Sequence, residues 1–295
     1  MPAAGSLAAL AGIAALCGTG PLEVLLTNDD GAGAAGIRAL RAGLVAAGHS
    51  VTLAAPDRNA SGSSLSFTWD TVRVARDPDD PHVFAIGASP ATAVVLAVTA
   101  LYPPGKRPDL VISGINHGPN SGSLLMLSGT LGAALVGTLL LDPPVPGVAV
   151  SAERLHAAQP ADSPANRAQY EAVGAHVARL VASTRGWFCE HGEVTRSRTV
   201  LNVNYPARPV AELLGTVVTR QGAATDLHIT FTATAEGEYR TQPARRAATA
   251  ARDTDDHWLG LGYATVTPVS GQITDDQAPR SDLERRLRQL QQAAH

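Results

Sequence analysis

Two aspartates stand side by side in Asn28-Asp29-Asp30-Gly31, directly after the apolar run Val24-Leu25-Leu26. Neighbouring side chains of an extended strand point to opposite faces, but where the strand gives way to a loop both carboxylates can turn toward one ion. In a dinucleotide-binding protein the first strand runs into a glycine-rich loop whose amides cradle a pyrophosphate. Two carboxylates in that place repel phosphate unless a hard cation stands between them. Oxygen ligands of this kind suit Mg²⁺, Mn²⁺ or Ca²⁺ better than zinc. The same tetrapeptide is also an ordinary turn, with Asp30-Gly31 supplying the turn chemistry, so the pair does not decide alone.

Further polar clusters follow later apolar runs. Pro56-Asp57-Arg58-Asn59-Ala60-Ser61-Gly62 offers the Ser61 hydroxyl as a neutral metal ligand and Arg58 as a partner for a substrate anion; it also reads as a flexible polar loop. Ser113-Gly114-Ile115-Asn116-His117-Gly118-Pro119-Asn120 offers the Asn116 amide oxygen to complete a metal site. His117 in that loop is a candidate general acid, although a lone loop histidine is more often a solvent-exposed surface residue. Ser128-Gly129-Thr130 opens a helical pattern, where hydroxyls, free backbone amides and the helix dipole together favour an anion. A plain N-cap explains the same residues, and both roles can coexist.

These clusters need a scaffold that brings strand ends together. Val24 to Leu26 is a continuous apolar run of the kind found in strands buried on both faces. Ile37, Leu40, Leu44 and Val45 recur at helical spacing up to Gly48, and Val51 to Ala55 supplies a second strand, which makes a βαβ unit. The alternation continues through strand Val83 to Ile86, helix Ala91 to Leu101, strand Leu110 to Ser113, helix Thr130 to Leu141 and strand Val148 to Ser151. A polar connection with Pro160 and Pro164 precedes a helix over Ala168 to Ser183, and Thr199 to Val203 reads as another strand. The fold class is therefore α/β: a Rossmann-like, doubly wound, mostly parallel sheet, whose ligands bind beyond the carboxyl ends of the strands. From Thr216 to Pro243 residues alternate around a Glu236-Gly237 turn, which predicts a long protruding β-hairpin. Such a hairpin is marginal alone, which suggests that it packs on another subunit. Leu283, Leu287 and Leu290 predict a C-terminal amphipathic helix. The resulting division is an N-terminal extension 1–21, a catalytic domain 22–215, an oligomerisation hairpin 216–250 and a C-terminal segment 251–295.

A net charge of −3 over 295 residues gives no field to recruit duplex nucleic acid or hold an anionic membrane, which leaves a small-molecule partner. Cys17 and Cys189 have no neighbouring cysteine, so they fit neither a disulfide framework nor a zinc site. Reduced thiols and a cytoplasmic location are the expectation. Leu7 to Leu16 has the length of a signal-peptide core without the usual preceding basic residues; if residues 1–20 are a signal peptide, the protein is secreted or periplasmic.

Thr27-Asn28-Asp29-Asp30-Gly31 with Gly36-Ile37, Ala55-Pro56-Asp57-Arg58-Asn59 with Ser61-Gly62, Ser113 to Asn120, and Ser128-Gly129-Thr130 resemble, in order and spacing, the motifs of the SurE family. So do Leu201-Asn202-Val203-Asn204, Asp253-Thr254-Asp255, Gly262-Tyr263 and Val266-Thr267-Pro268. The resemblance covers roughly residues 22 to 270. It implies one divalent metal ion, Mg²⁺ or Mn²⁺, on Asp29, Asp30, Ser61 and Asn116, with Asp29, Asp30 and Asn116 in catalysis. It also implies phosphate binding by Asn120, Ser128, Gly129 and Thr130, hydrolysis of nucleoside 5′- and 3′-monophosphates, and a homodimer or homotetramer that exchanges the hairpin and C-terminal segment.

Departures fall outside the implied ligands. Gly87-Ala88-Ser89-Pro90-Ala91-Thr92-Ala93 lacks the family's usual acidic residue and cysteine, Val136-Gly137 stands where Glu-Gly is frequent, and Leu127 replaces a frequent tyrosine. A catalytically weakened nucleotide- or metal-binding homologue is the alternative. A haloacid-dehalogenase-type phosphatase wants two aspartates separated by one residue, and here they are adjacent. With no clear aromatic pair near the motifs to read a base, broad nucleotide specificity is expected.

Overall fold

In the computed structural model, residues 15–223, 227–245 and 250–272 are described. The sheet strands are β1 (Glu23–Thr27), β2 (Ser50–Pro56), β3 (Val74–Arg76), β4 (Val83–Ile86), β5 (Leu110–His117) and β6 (Gly147–Ala152). A small β7–β8 ribbon follows (Cys189–Glu190, Glu193–Val194), then β9 (Thr199–Tyr205), β10 (Thr216–Val218), β11 (Leu227–Ala235), β12 (Glu238–Arg245) and β13 (Ala264–Ser270). The helices are α1 (Ala35–Ala46), α2 (Pro90–Leu96), α3 (Gly129–Leu139), α4 (Pro164–Thr184) and α5 (Asp255–Gly260).

A nine-stranded sheet has the order β10-β13-β9-β6-β5-β1-β2-β4-β3. From β9 to β4 every pairing is parallel, and β13 and β3 run antiparallel to their neighbours β9 and β4. β1 shows why the sequence forms a buried strand. Val24 and Leu26 face a core with Ile37, Leu40, Val173 and Val177 of α1 and α4, whereas Leu25 faces Val94, Ala133 and Val136 of α2 and α3. Helices thus cover both faces, as a doubly wound sheet requires.

The chain leaves β1 for β2 and β4 on one side, then crosses back to β5 on the other. The crevice between the ends of β1 and β5 is therefore the topological switch point, where sheets of this kind bind ligands. Thr27 pairs in register with Ser113, which sets Asn28-Asp29-Asp30 beside the end of β5, a strand that runs past the expected Ser113 end to His117, and the Gly118 to Asn120 loop.

Several sequence expectations change. Pro164 does not belong to a loop: it is in the first turn of α4, behind the Ser163 cap whose side chain accepts from Asn166 N–H, because proline suits a position that needs no amide donor. The hairpin is confined to β11–β12, and Thr216–Val218 instead joins the main sheet beside β13. The expectation of reduced thiols is overturned: Cys17 and Cys189 form a disulfide with Cα atoms 5.7 Å apart across a separation of 172 residues. Spacing arguments see only cysteines close in sequence, whereas the fold brings the segment before β1 against the segment after α4. Leu16 and Leu22 join the main core, and the Arg185 guanidinium donates to the carbonyls of Leu16 (2.9 Å), Gly20 (2.6 Å) and Ala15. The expected helix from Ser281 lies outside the described residues, among which no helix is long and apolar enough to cross a membrane.

Candidate active site

The acidic loop is built by its own polar side chains. Asn28, fully buried, closes the turn by accepting from Gly31 N–H and donating to Gly31 O, each at 3.1 Å. This bends the chain after β1 and leaves Asp29 3% exposed beside Asp30. The Ser61 loop is anchored on the same turn: Ala60 N–H donates to Asp29 O at 2.7 Å, and Ala32 N–H donates to Pro56 O at 2.8 Å. Ser61 is thus one residue beyond a direct backbone bond to Asp29, at an exposed tip where its own N–H donates to Asn59 Oδ1.

From β5, His117 N–H donates to Asp30 Oδ2 at 3.0 Å, and its Nδ1 lies 3.3 Å from Asp30 Oδ1. The histidine read from sequence as a surface residue is therefore a partly buried partner of a site carboxylate. Burial first, and Arg154 second, lower its pKa, against the opposing pull of Asp29 and Asp162. Asn116 donates its Nδ2 to Gly118 O at 2.8 Å, so its oxygen is the atom left to offer a ligand.

α3 meets the carboxylates end on. Thr130 Oγ1 donates to Asp29 Oδ1 at 2.6 Å, and Ser128 Oγ caps the helix by accepting from Leu131 N–H at 3.0 Å. Gly129 is required between them, since a Cβ there would overlap Ser63 Oγ and come within 2.8 Å of Asp29 Oδ2. The helix's first backbone unit thus rests against the carboxylate. Asn120 lies beneath: its N–H donates to Asn204 Oδ1 (2.7 Å), its Nδ2 to Ser151 Oγ (2.9 Å), and its carbonyl accepts from Asn202 and Asn204 (2.9 and 3.0 Å). The side-chain donors of Asn120 and Thr130 are thus engaged inside the protein, and Ser128 Oγ serves as the cap. At the start of α3 the Leu131 N–H is taken by Ser128 Oγ, and the Thr130 N–H is directed at the Asp29 carboxylate.

Burial pushes both Asp29 and Asp30 up to about 6; for Asp29 the charge of Asp30 adds to this, while Thr130 pulls the other way. Among the described residues neither carboxylate pairs with Lys or Arg. Ser63 Oγ, buried beside Gly129 and Asp29, has no hydrogen-bond partner among the described residues. Two desolvated carboxylates without a basic counter-charge, next to an orphaned hydroxyl, fit a divalent cation with oxygen ligands. Among the described residues no group of three or more His, Cys, Asp or Glu side chains is placed to hold a metal, so such an ion depends on neutral oxygens as well.

Ser63, Asn202, Asn204 and Asp255 were given no role from sequence, although the last three sit in motifs that resemble the family. The loop after Ser61 also carries an aromatic pair that the sequence reading did not find. Phe67 and Trp69 have ring centroids 5.0 Å apart, and Trp69 is 90% exposed. Ser64 ties this loop to the α3 approach, its N–H donating to Leu127 O and its Oγ to Met126 O.

A carboxylate pair at the switch point of a doubly wound sheet, in contact with a helix N-terminus, marks a Rossmann-like α/β protein with its candidate site at the strand ends. The family model described as survival protein SurE matches residues 24–226. Over 257 residues the chain is 38% identical to the 5′-nucleotidase SurE of Laribacter hongkongensis, covering 86% of this chain and 94% of the relative. It is 36% identical over 265 residues to that of Stenotrophomonas maltophilia, covering 87% and 93%. The crystal structure of the SurE protein from Aquifex aeolicus superposes with a TM-score of 0.69 at 30% identity, covering 88% of this chain and 97% of that one. The chain belongs to the SurE family.

Proposed function

We propose that this protein is a divalent-metal-dependent nucleotidase that hydrolyses nucleoside 5′- and 3′-monophosphates to nucleoside and inorganic phosphate. The observation that carries the reading is the contact between Asp29 and the first turn of α3, which supports a cation on the carboxylates beside an anion at the helix N-terminus. The names of the relatives support phosphomonoester chemistry on nucleotides.

Asp29, Asp30, Asn116 and Ser61 would hold the ion, Mg²⁺ or Mn²⁺. When bound it supplies positive charge against the phosphoryl oxygens and acidifies water. The chain's own groups do the rest. The backbone amides at the start of α3, with the helix dipole behind them, bind and orient the phosphate. Thr130 fixes the rotamer of Asp29, and His117 fixes that of Asp30, so the carboxylates are preorganised. Asn120, held by Asn202, Asn204 and Ser151, keeps the loop at the crevice floor. His117 is also within reach to hold or release a proton.

Inorganic phosphate release from AMP and from p-nitrophenyl phosphate, with Mn²⁺ and with EDTA, tests the reading. Turnover with Mn²⁺ that EDTA abolishes is expected; no release under either condition overturns it. The alternative, a weakened binding homologue, draws support from the internal engagement of Ser128, Thr130 and Asn120, and the same assay separates the two.

The hairpin carries Ile229, Phe231 and Tyr239 exposed by 44, 65 and 69%, which supports packing on a second subunit in a homodimer or homotetramer. The Cys17–Cys189 disulfide supports the secreted or periplasmic alternative over the cytoplasm, because such bonds persist in oxidising compartments.

A further inference from the structure

Asp255 opens the short helix α5, far from the carboxylates in sequence and fully buried. Its carboxylate accepts from Gly122 N–H at 3.1 and 3.2 Å, from Gly222 N–H at 2.8 Å and from Asp256 N–H at 2.9 Å. No Lys, Arg or His pairs with it among the described residues. An ionised carboxylate in such a place is costly unless its lone pairs are filled, and here backbone amides from separate segments fill them. Within α5 the carboxylate meets only the Asp256 N–H; its Oδ1 also takes the Gly222 N–H, and both oxygens share the Gly122 N–H.

Gly122 is held from the other side as well, because Gln221 Nε2 donates to its carbonyl at 3.0 Å. Gly122 follows Asn120 by two residues in the loop that ends at Ser128 and Gly129. Gln221 and Gly222 lie in the segment that leads from β10 into the hairpin strand β11. That segment runs alongside the residues before α5: Arg220 N–H donates to Asp253 O at 3.1 Å, and Asp255 N–H donates to Arg220 O at 2.9 Å. The loop of the candidate site and the root of the hairpin therefore converge on one buried carboxylate.

We infer that Asp255 is a positioning residue that fixes the 118–128 loop to the hairpin root, so that displacement of the root is felt at the phosphate-binding side of the site. Its kinetic consequence rests on the nucleotidase reading; the structural coupling does not. A residue that merely stabilised α5 would leave the 118–128 loop unaffected when the root is disturbed.

The test uses the full chain and three variants. Gln221→Ala deletes the bond to Gly122 O and leaves Asp255 intact. Gly222→Ala sets a methyl against the Asp256 carboxylate, 2.8 Å from its carboxyl carbon, and so crowds the root beside Asp255 without touching Gly122. Asp255→Asn can keep its oxygen on Gly222 and Asp256 while replacing the second acceptor of the shared Gly122 N–H by an N–H that opposes it. In hydrogen–deuterium exchange, amides of 118–128 should exchange at least tenfold faster in each folded variant, with β1, β2 and α1 unchanged. In parallel, the KM for p-nitrophenyl phosphate and the inhibition constant of inorganic phosphate should rise together by fivefold or more, with a smaller change in kcat. Faster exchange confined to the hairpin and 250–260, with 118–128 at wild-type rates, overturns the inference. Should Asp255→Asn fail to fold, Gln221→Ala and Gly222→Ala decide alone. A wild-type protein that releases no phosphate would sink the nucleotidase reading, while the exchange measurement would still decide the coupling.

Discussion

Asp30→Asn should make the metal-free protein more stable while destroying its function. Burial holds the Asp30 carboxyl at about 6 against an ordinary 3.8. At roughly 1.4 kcal/mol per unit, ionising it in the fold at pH 7.5 costs about 3 kcal/mol. Asp29 is raised to the same value, and two adjacent carboxyls titrate as a pair, so neutralising one should recover about 1–3 kcal/mol. The carboxamide keeps an acceptor for His117 N–H, so little is lost in exchange. The sign follows from linkage: a carboxyl raised in the folded state binds more protons folded than unfolded between about 4 and 6. Stability from this site is thus present at low pH and lost as pH rises through about 6. Thermal and urea unfolding in EDTA should show wild type losing stability between pH 5 and 7.5, and Asp30→Asn losing less. At pH 7.5 the variant should melt roughly 3–10 °C higher, at a few degrees per kcal/mol. Mn²⁺ should raise the wild-type midpoint and leave the variant's nearly unchanged. A metal-free variant at pH 7.5 that is no more stable than wild type would refute the claim that the carboxylates are held at a cost.

Asp29→Asn should leave the fold intact and lower metal-dependent turnover by at least about a hundredfold, on the scale of lost electrostatic stabilisation; near-wild-type kcat/KM would contradict the ligand assignment. Cys17→Ser should cost about 2–5 kcal/mol in urea unfolding, the range for opening a long covalent loop, with activity of the folded protein unchanged. Cys17 lies in the segment before β1, and the acidic loop follows the strand's other end, a strand length of roughly 15 Å. Replacing Leu227–Arg245 by a short flexible linker should give a smaller species by light scattering, whereas a full-length protein that is monomeric at micromolar concentration would count against hairpin exchange. Several nucleoside 5′- and 3′-monophosphates should be hydrolysed within about two orders of magnitude in kcat/KM, because side-chain discrimination in such pockets is commonly worth only about 1–3 kcal/mol. A preference above about a thousandfold would show a base pocket, with Trp69 the first residue to substitute.

What the chain showed in advance was whatever depends on near neighbours. The Val24 to Leu26 run, the helical spacing of Ile37 and Leu40, and the punctuation by Gly48 and Pro56 carry the doubly wound sheet, since strand burial and helix periodicity are local patterns. The placement of Asp29 and Asp30 after β1 and of Asn116 at the carboxyl end of β5 followed from the rule for sheet ends. What stayed hidden depends on contacts between distant residues. Cys17 meets Cys189 only because the segment before β1 packs against the end of α4. Asp255 reaches Gly122 only because α5 docks at the crevice. Pro164 was misread for a different reason, since the same residue can end one helix or begin another and only the preceding Ser163 cap tells which.

The pairing of Thr27 with Ser113 also bears on how the protein is made. The two strands that frame the site are neighbours in the sheet but are separated along the chain by α1, β2, β3, β4 and α2. Contacts of such long separation form slowly. As the polypeptide emerges, Asp29 and Asp30 are present long before β5 arrives to face them, and no fragment ending before His117 contains both walls of the crevice. On the proposed function, capture of the divalent ion is therefore a late event that waits on completion of the central sheet. Metal uptake during refolding would report when β5 has inserted beside β1.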